Sequence, residues 1–111
     1  MKKAITLNSK NFQKEVLESE IPVLVDFWGS WCPPCKMVEQ TIEELAGDLD
    51  GKVKVGKLNV DQYPVLRNQY SIIGLPTFIL FKDGQMMKNE VGARSKKQLL
   101  KMLNEALGNI I

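Results

Sequence analysis

The most constraining feature of this sequence is an apolar segment that leads directly into its two cysteines. Residues 23–28 read Val-Leu-Val-Asp-Phe-Trp, and this run of β-branched and aromatic residues predicts a buried β-strand. A Gly-Ser pair ends the run, and beyond the cysteines apolar residues recur at helical spacing as far as Leu49. Cys32 and Cys35 are therefore expected where a buried strand ends and a helix begins.

This position favours a reactive thiol at Cys32. The first turn of a helix presents unpaired N–H groups and a partial positive charge, and both stabilise an anion. An ordinary cysteine with a pKa near 8.5 is only roughly 3 % ionised at pH 7, so a lowered pKa increases the reactive thiolate fraction severalfold. Cys35 lies deeper on the same helical face, placed to close a disulfide. We therefore interpret Cys32 as the attacking sulfur and Cys35 as the resolving sulfur.

Two prolines, Pro33 and Pro34, separate the cysteines. Proline suits the first position of a helix, because its missing N–H would have no intrahelical partner and its fixed φ is helical. Two prolines in succession also stiffen the turn. Pro33, however, removes one N–H donor from the Cys32 thiolate. We predict that both prolines tune the redox potential, and the sequence leaves the balance of these effects open.

Asp26 is the charged residue within the predicted strand. Because its neighbours on both sides are apolar, we expect a strand covered on both faces rather than one half exposed to solvent. Burial raises the pKa of a carboxyl and calls for a partner, and Lys57 in the predicted strand over 53–60 is the candidate. A buried pair of this kind is either a structural ion pair or part of the redox chemistry.

Composition narrows the functional class. The 111 residues are predicted to form a single domain over 1–111, with the 44 % hydrophobic and 25 % charged content of an ordinary soluble protein. A net charge of +2 with scattered basic residues predicts no nucleic-acid or membrane surface. The N-terminal residues lack the apolar stretch of a signal peptide, and no run is long enough to span a membrane. We therefore expect a cytoplasmic protein.

In that compartment a Cys-x-x-Cys pair is more often catalytic or metal-binding than structural. A tetrahedral zinc site needs four ligands, and the chain has no histidine and no third cysteine, so we predict no metal site within one chain. A metal or iron–sulfur site shared by two chains remains an alternative.

The rest of the chain alternates strand and helix patterns. Predicted strands cover 3–7 at a sheet edge, 23–28, 53–60, 77–81 and, after an Asp-Gly turn, an antiparallel 85–91. Predicted helices cover 10–17, 34–49, 64–70 and a last segment that begins with a Ser95–Gln98 capping box. The core stripe of the long helix comprises Met37, Val38, Ile42, Leu45 and Leu49. This order predicts an α/β fold with a five-stranded mixed sheet flanked by four helices.

The segment Trp-Cys-x-x-Cys-Lys, following an aspartate-bearing apolar strand, resembles the thioredoxin family. The resemblance continues in order and spacing through Lys-Leu-Asn-Val-Asp at 57–61, Gly-Leu-Pro-Thr-Phe at 74–78, Phe-Lys-Asp-Gly at 81–84 and Val-Gly at 91–92. It covers nearly the whole chain and implies the thioredoxin fold.

The resemblance also implies an activity, the reduction of disulfides in protein substrates through a reversible Cys32–Cys35 disulfide. It places Asp26 beneath Cys35 as the group that handles its proton, whereas Lys57 remains either redox-tuning or structural. It implies a cis bond at Leu75-Pro76, with an apolar substrate rim comprising Trp31, Ile73, Gly74, Leu75, Pro76, Gly92 and Ala93. For Gly92 a simple turn role remains equally open.

The partners and cofactors follow from the same resemblance. We expect disulfide-containing protein substrates and an NADPH-dependent flavoprotein, thioredoxin reductase, that recharges the oxidised protein. No cofactor is expected beyond the redox-active disulfide, and the protein is expected to be a monomer.

The sequence departs from the family pattern at three places. Pro33 replaces the usual glycine, giving Trp-Cys-Pro-Pro-Cys instead of Trp-Cys-Gly-Pro-Cys, and Leu75 replaces a β-branched residue. Gln40 stands where the family often has a helix-kinking proline, so we expect a straighter helix over 34–49. The Trp-Cys-Pro-Pro-Cys segment also resembles longer tryparedoxin- and nucleoredoxin-like proteins. The alternatives are therefore a specialised tryparedoxin-like redox carrier and a module that binds partners through the same apolar rim.

Overall fold

In the computed structural model, which describes residues 3–109, five strands form one mixed sheet around the strand that leads to the cysteines. The strands are β1 (Ile5–Thr6), β2 (Val23–Trp28), β3 (Lys54–Asn59), β4 (Thr77–Lys82) and β5 (Gln85–Val91). Their spatial order is β1-β3-β2-β4-β5, with β1, β3 and β2 parallel and with β4 antiparallel to both of its neighbours. The predicted five-stranded mixed sheet is confirmed, with β1 at one edge and the antiparallel β5 at the other.

Helical segments occupy the four predicted places. They are a π-helical turn (Gln13–Leu17), the pair α1 (Pro33–Met37) and α2 (Glu39–Asp48), α3 (Pro64–Gln69) and α4 (Lys96–Leu107). The predicted capping box is present before α4, where Ser95 Oγ accepts the Gln98 N–H at 3.1 Å and the Gln98 side chain accepts the Ser95 N–H at 2.8 Å. None of the helices within 3–109 has the length and apolar character needed to cross a membrane.

The long helix is interrupted at Val38, so the prediction of one continuous helix over 34–49 is wrong. Val38 has φ −95° and ψ −2°, and its N–H donates to the Lys36 carbonyl. The prediction contains a second error, because Met37 precedes Val38 by one residue and so lies about 100° around the helix from the buried stripe. Met37 was expected in the core but is 77 % exposed, whereas Val38 is 3 % exposed. The break therefore requires no proline at position 40.

Both faces of β2 are covered, as the apolar residues on either side of Asp26 predicted. Leu24 packs on one face with residues of α2 and α4, among them Ile42, Leu45, Leu99 and Leu103. Val25 and Phe27 pack on the other face with Phe12, Val16, Leu58, Ile72 and Ile79. Because side chains alternate along a strand, Asp26 lies on the same face as Leu24, the face that α2 covers. The fold thereby places a carboxyl in the core next to the cysteine segment.

Candidate active site

Cys32 and Cys35 are joined by a disulfide at the N-terminus of α1. Cys32 is the N-cap residue, with an extended backbone, and Pro33 and Pro34 occupy the first two helical positions. The two cysteine Cα atoms are 5.2 Å apart, and the residues are 7 % and 5 % exposed, respectively. The structure therefore contains the oxidised form of the pair. The disulfide joins the two cysteines that were predicted to lie on one helical face.

The two prolines make Cys35 the first residue of α1 with an N–H to donate. This N–H lies 3.2 Å from Cys32 Sγ and 3.0 Å from the Cys32 carbonyl oxygen. A thiolate on Cys32 is stabilised by this donor, because hydrogen bonds to a charged acceptor are stronger than those to a neutral one.

The loop that connects β2 to α1 is held by polar side chains at the end of β3. The Ser30 N–H donates to Asp61 Oδ2 at 2.9 Å, and Asn59 Nδ2 donates to Ser30 Oγ at 3.2 Å. Asn59 Oδ1 in turn accepts the Asp61 N–H at 2.9 Å. These contacts fix the backbone immediately before Trp31. The sequence pattern assigned no role to Asn59 or Asp61, although polar residues at the carboxyl end of a buried parallel strand are a known sign of a site.

A cavity of about 110 Å³ lies beside Cys35 and is lined by Asp26, Trp28, Gly29, Cys35, Lys36, Glu39 and Lys57. Asp26 is 3 % exposed, and its Oδ1 has no hydrogen-bond partner among residues 3–109. Burial raises the pKa of Asp26 to about 7, against the lowering effect of the Lys57 ammonium and with a further rise from the Glu39 carboxylate. The predicted burial and the predicted direction of this pKa are confirmed. A carboxyl of this kind exchanges a proton near neutral pH.

The predicted partner of Asp26 is engaged elsewhere. Lys57 stands opposite Asp26 in the register of β2 and β3, as the sequence pattern suggested. Its Nζ nevertheless donates to Glu43 Oε2 on α2 at 2.6 Å. A direct Asp26–Lys57 ion pair is therefore wrong, and Lys57 acts on Asp26 only through space.

The cis bond at Leu75-Pro76 is confirmed, and its loop packs against the cysteine segment. A Cβ added to Gly29 would fall 2.8 Å from Leu75 Cδ1 and 4.0 Å from Cys32 Cβ, so Leu75 and Cys32 both lie against this glycine. The Gly92 N–H donates to the Pro76 carbonyl at 2.8 Å. The two loop segments of the predicted rim, over 73–76 and 92–93, are therefore contiguous.

Several apolar side chains around these loops are exposed. Trp31 is 95 % exposed and Ile73 is 87 % exposed, and Ala93 also faces solvent. Val91, at 52 % exposure, extends the same surface, because a Cβ on Gly74 would lie 2.6 Å from Val91 Cγ1. The sequence pattern missed Val91, which lies at the end of an edge strand. Clustered exposed apolar residues beside a reactive pair indicate a surface for a partner.

Gly92 adopts a φ of +101°, and a Cβ there would meet only the flexible end of Arg94, at 3.3 Å. Its backbone conformation, which L side chains rarely adopt, is therefore sufficient reason for a glycine. Of the two interpretations left open for Gly92, the turn has this structural support. Within the part of the chain that the structure describes, no three or more His, Cys, Asp or Glu side chains are arranged to hold a metal ion.

Comparison with known proteins agrees with this geometry. The Thioredoxin family matches residues 3–105 of the chain. A thioredoxin from Rickettsia felis is 44 % identical over 104 residues, which cover 94 % of this chain and 99 % of that protein. A thioredoxin from Chlorobaculum thiosulfatiphilum is 46 % identical over 99 residues, 89 % of this chain and 92 % of that protein. Thioredoxin 1 from Nostoc sp. is 43 % identical over 107 residues, 96 % of this chain and all of that protein.

Proposed function

This chain belongs to the thioredoxin family and is a thiol–disulfide oxidoreductase, and we propose that it reduces protein disulfides with Cys32 as nucleophile, Cys35 as resolving thiol and Asp26 as proton acceptor. The observation that carries the proposal is the position of the disulfide. It caps α1 within reach of the Cys35 N–H and shares a cavity with a buried carboxyl. This arrangement suits a redox pair better than it suits the alternatives of a passive binding module or a specialised carrier.

The reaction proceeds by two exchanges. In the first, the Cys32 thiolate attacks one sulfur of the substrate disulfide, whose second sulfur leaves as a thiolate and takes a proton. In the second, Cys35 gives its proton to the Asp26 carboxylate and its thiolate attacks Cys32 Sγ. The intermolecular bond breaks and the remaining substrate sulfur leaves as a thiolate, which is then protonated. Two electrons thus pass from the cysteine pair to the substrate.

Asp26 suits the second exchange because of its environment. A pKa of about 7 makes it a stronger base than an ordinary carboxylate while leaving a large ionised fraction at neutral pH. Its cavity is lined by the charged residues Lys57 and Glu39 as well as Asp26 and has room for water, so a proton can pass between Asp26 and Cys35 directly or through one water molecule.

The partners follow from the same chemistry. The substrates are proteins with accessible disulfides, and the exposed Trp31 and Ile73 receive an apolar stretch beside the scissile bond. A flavin- and NADPH-dependent thioredoxin reductase returns the oxidised pair to the dithiol. We further propose that the protein acts in the cytoplasm as a monomeric single domain, with its two sulfurs as the whole redox centre. Pro33, Pro34 and Lys57 tune the potential of that centre.

We expect Cys35→Ser to trap the reaction halfway. Cys32 can still attack a substrate disulfide, but no second thiol is present to release the product. Incubation of reduced Cys35→Ser with oxidised insulin should yield a covalent adduct that survives non-reducing electrophoresis and disappears with dithiothreitol. The double variant Cys32→Ser/Cys35→Ser is the matched control and should form no adduct. An equal yield of adduct with Cys32→Ser alone would reassign the nucleophile.

Replacement of an exposed rim residue should affect protein substrates selectively. Ile73→Ser removes an apolar contact that is buried only when a substrate binds, so we expect about a tenfold lower kcat/KM for insulin. Reduction of a small aromatic disulfide should be nearly unchanged. Met86→Ala is the control, because Met86 is also exposed but pairs with Phe81, at the far end of β5 from the site. An unchanged kcat/KM for insulin in Ile73→Ser would exclude Ile73 from the rim.

A further inference from the structure

Lys57, the cation that stands opposite Asp26 in the sheet, is bound by the carboxylate of Glu43. We infer that Glu43 and Glu39, two carboxylates of α2, are positioning residues for the resolving step. Glu43 keeps Lys57 from pairing with Asp26, and Glu39 adds a negative charge at the edge of the same cavity. This inference rests on the proposed role of Asp26 as the acceptor of the Cys35 proton.

Both carboxylate oxygens of Glu43 accept hydrogen bonds, one of them from Lys57. One carboxylate oxygen accepts from Lys57 Nζ at 2.6 Å, and the other accepts the Ala4 N–H at 2.9 Å. The side chain thus bridges α2 to both β3 and the chain entering β1. Partial burial raises the pKa of Glu43, but the bonds from Lys57 and Ala4 outweigh it and leave the pKa below its ordinary value. Glu43 therefore stays ionised, and holds Lys57, throughout the pH range in which thiols react.

Among the residues that the structure describes, Asp26 has no counter-ion in contact. Lys57 stands opposite it in the β2–β3 register, yet Oδ1 of Asp26 is buried and unpartnered within residues 3–109. Lys36 of α1 also lines the cavity, but its side chain is exposed to solvent. Neither ammonium makes an ion pair with Asp26 among the described residues, so the charge of Lys57 stabilises the carboxylate form only through space.

Glu39 strengthens this bias. It is the first residue of α2 and lies one helical turn before Glu43, so both carboxylates project from one side of the helix. Its side chain lines the cavity together with Asp26 and Cys35. A negative charge at this place disfavours a second one on Asp26, in agreement with the direction of its effect on the pKa of that group.

The consequence concerns the strength of the base in the second exchange. If Lys57 paired directly with Asp26, the carboxylate would be stabilised and would accept the Cys35 proton less readily. With Lys57 on Glu43 and a like charge on Glu39, Asp26 takes that proton more readily near neutral pH. The two glutamates therefore act through Asp26, and neither touches the reacting sulfurs.

The test is a carboxyl carbon NMR titration of Asp26 in four proteins: wild type, Glu43→Gln, Glu39→Gln and the control Glu44→Gln. Glutamine at position 43 keeps an oxygen for the Ala4 N–H, so the link to β1 is retained while Lys57 is released. We expect the Asp26 midpoint to fall by about one pH unit or more in Glu43→Gln and by a smaller amount in Glu39→Gln. Glu44 neighbours Glu43 but binds Lys96 of α4 at 3.3 Å, so Glu44→Gln should leave the midpoint unchanged.

The rate of the resolving step separates this inference from the proposed function. This rate is measured at a series of pH values from the release of product by a preformed mixed disulfide. Its pH profile should shift in parallel with the midpoint of the Asp26 titration. If Asp26→Asn slows this step but neither Glu39→Gln nor Glu43→Gln moves the titration, the inference is wrong and the role of Asp26 stands. If Asp26→Asn resolves the mixed disulfide at the wild-type rate, the role of Asp26 and the inference both fail.

Discussion

Cys32→Ser is expected to reduce the dithiothreitol-driven reduction of insulin to the uncatalysed rate. A serine hydroxyl is close in size to a thiol but is not ionised at neutral pH, so the attacking anion is lost while the geometry is retained. The Cys35 thiol is not expected to replace it, because Cys35 lies within α1 whereas Cys32 caps the helix at its N-terminus. The measurement is the rate of insulin precipitation at fixed dithiothreitol concentration, with wild type and variant at equal concentration.

Two further results make this experiment decisive. The variant should retain the wild-type far-ultraviolet circular dichroism spectrum, so that loss of turnover is not loss of fold. Wild type should turn over rapidly, since the function rests on a redox pair that cycles. If wild type itself does not exceed the uncatalysed rate, the general-reductase proposal fails in favour of a specialised carrier or a binding module. Full activity in Cys32→Ser would exclude Cys32 as the nucleophile.

The parts of the molecule that the sequence predicted are those determined by local pattern or by the family resemblance. The apolar run over 23–28 has no polar face, which is why β2 had to be central and covered on both sides. The Ser95–Gln98 capping box and the Asp-Gly turn depend only on residues that are close in sequence, and both are present as expected. The cis Leu75-Pro76 bond was predicted from the family pattern alone, because nothing in the local sequence requires it.

The remaining features depend on tertiary contacts that no local pattern contains. Glu43 and Lys57 are 14 positions apart in sequence and meet only because α2 packs beside β3. The interruption at Val38 carries neither proline nor glycine, so the helix over 34–49 appeared continuous in the sequence. The hydrogen bonds that join Ser30 to Asn59 and Asp61 similarly form between distant segments that only the sheet brings together. These are the contacts that decide the electrostatics and rigidity of the site.

Removal of the buried charge at Asp26 should stabilise the protein in a pH-dependent way. Burial raises the folded-state pKa from the ordinary 3.8 to about 7, so the folded state binds this proton more tightly than the unfolded state does. The contribution of Asp26 is therefore most favourable at acid pH, declines as the pH rises from about 4 to about 7, and is fully lost above that range. This pKa difference between the folded and unfolded states lowers the free energy of unfolding by about 4 kcal/mol at pH 8 and by about 2 kcal/mol at pH 5.

Asp26→Asn removes the ionisation, and denaturant unfolding at both pH values measures the change. The buried amide has its own cost of about 1–3 kcal/mol for unmade hydrogen bonds, but that cost does not vary with pH. The stabilisation by Asp26→Asn relative to wild type should therefore be larger at pH 8 than at pH 5 by about 2 kcal/mol. Asp50→Asn, at an exposed carboxylate after α2, is the control and should show no such difference. Equal effects of Asp26→Asn at both pH values would mean that Asp26 titrates normally in the folded state, and it would then be too weak a base to assist Cys35.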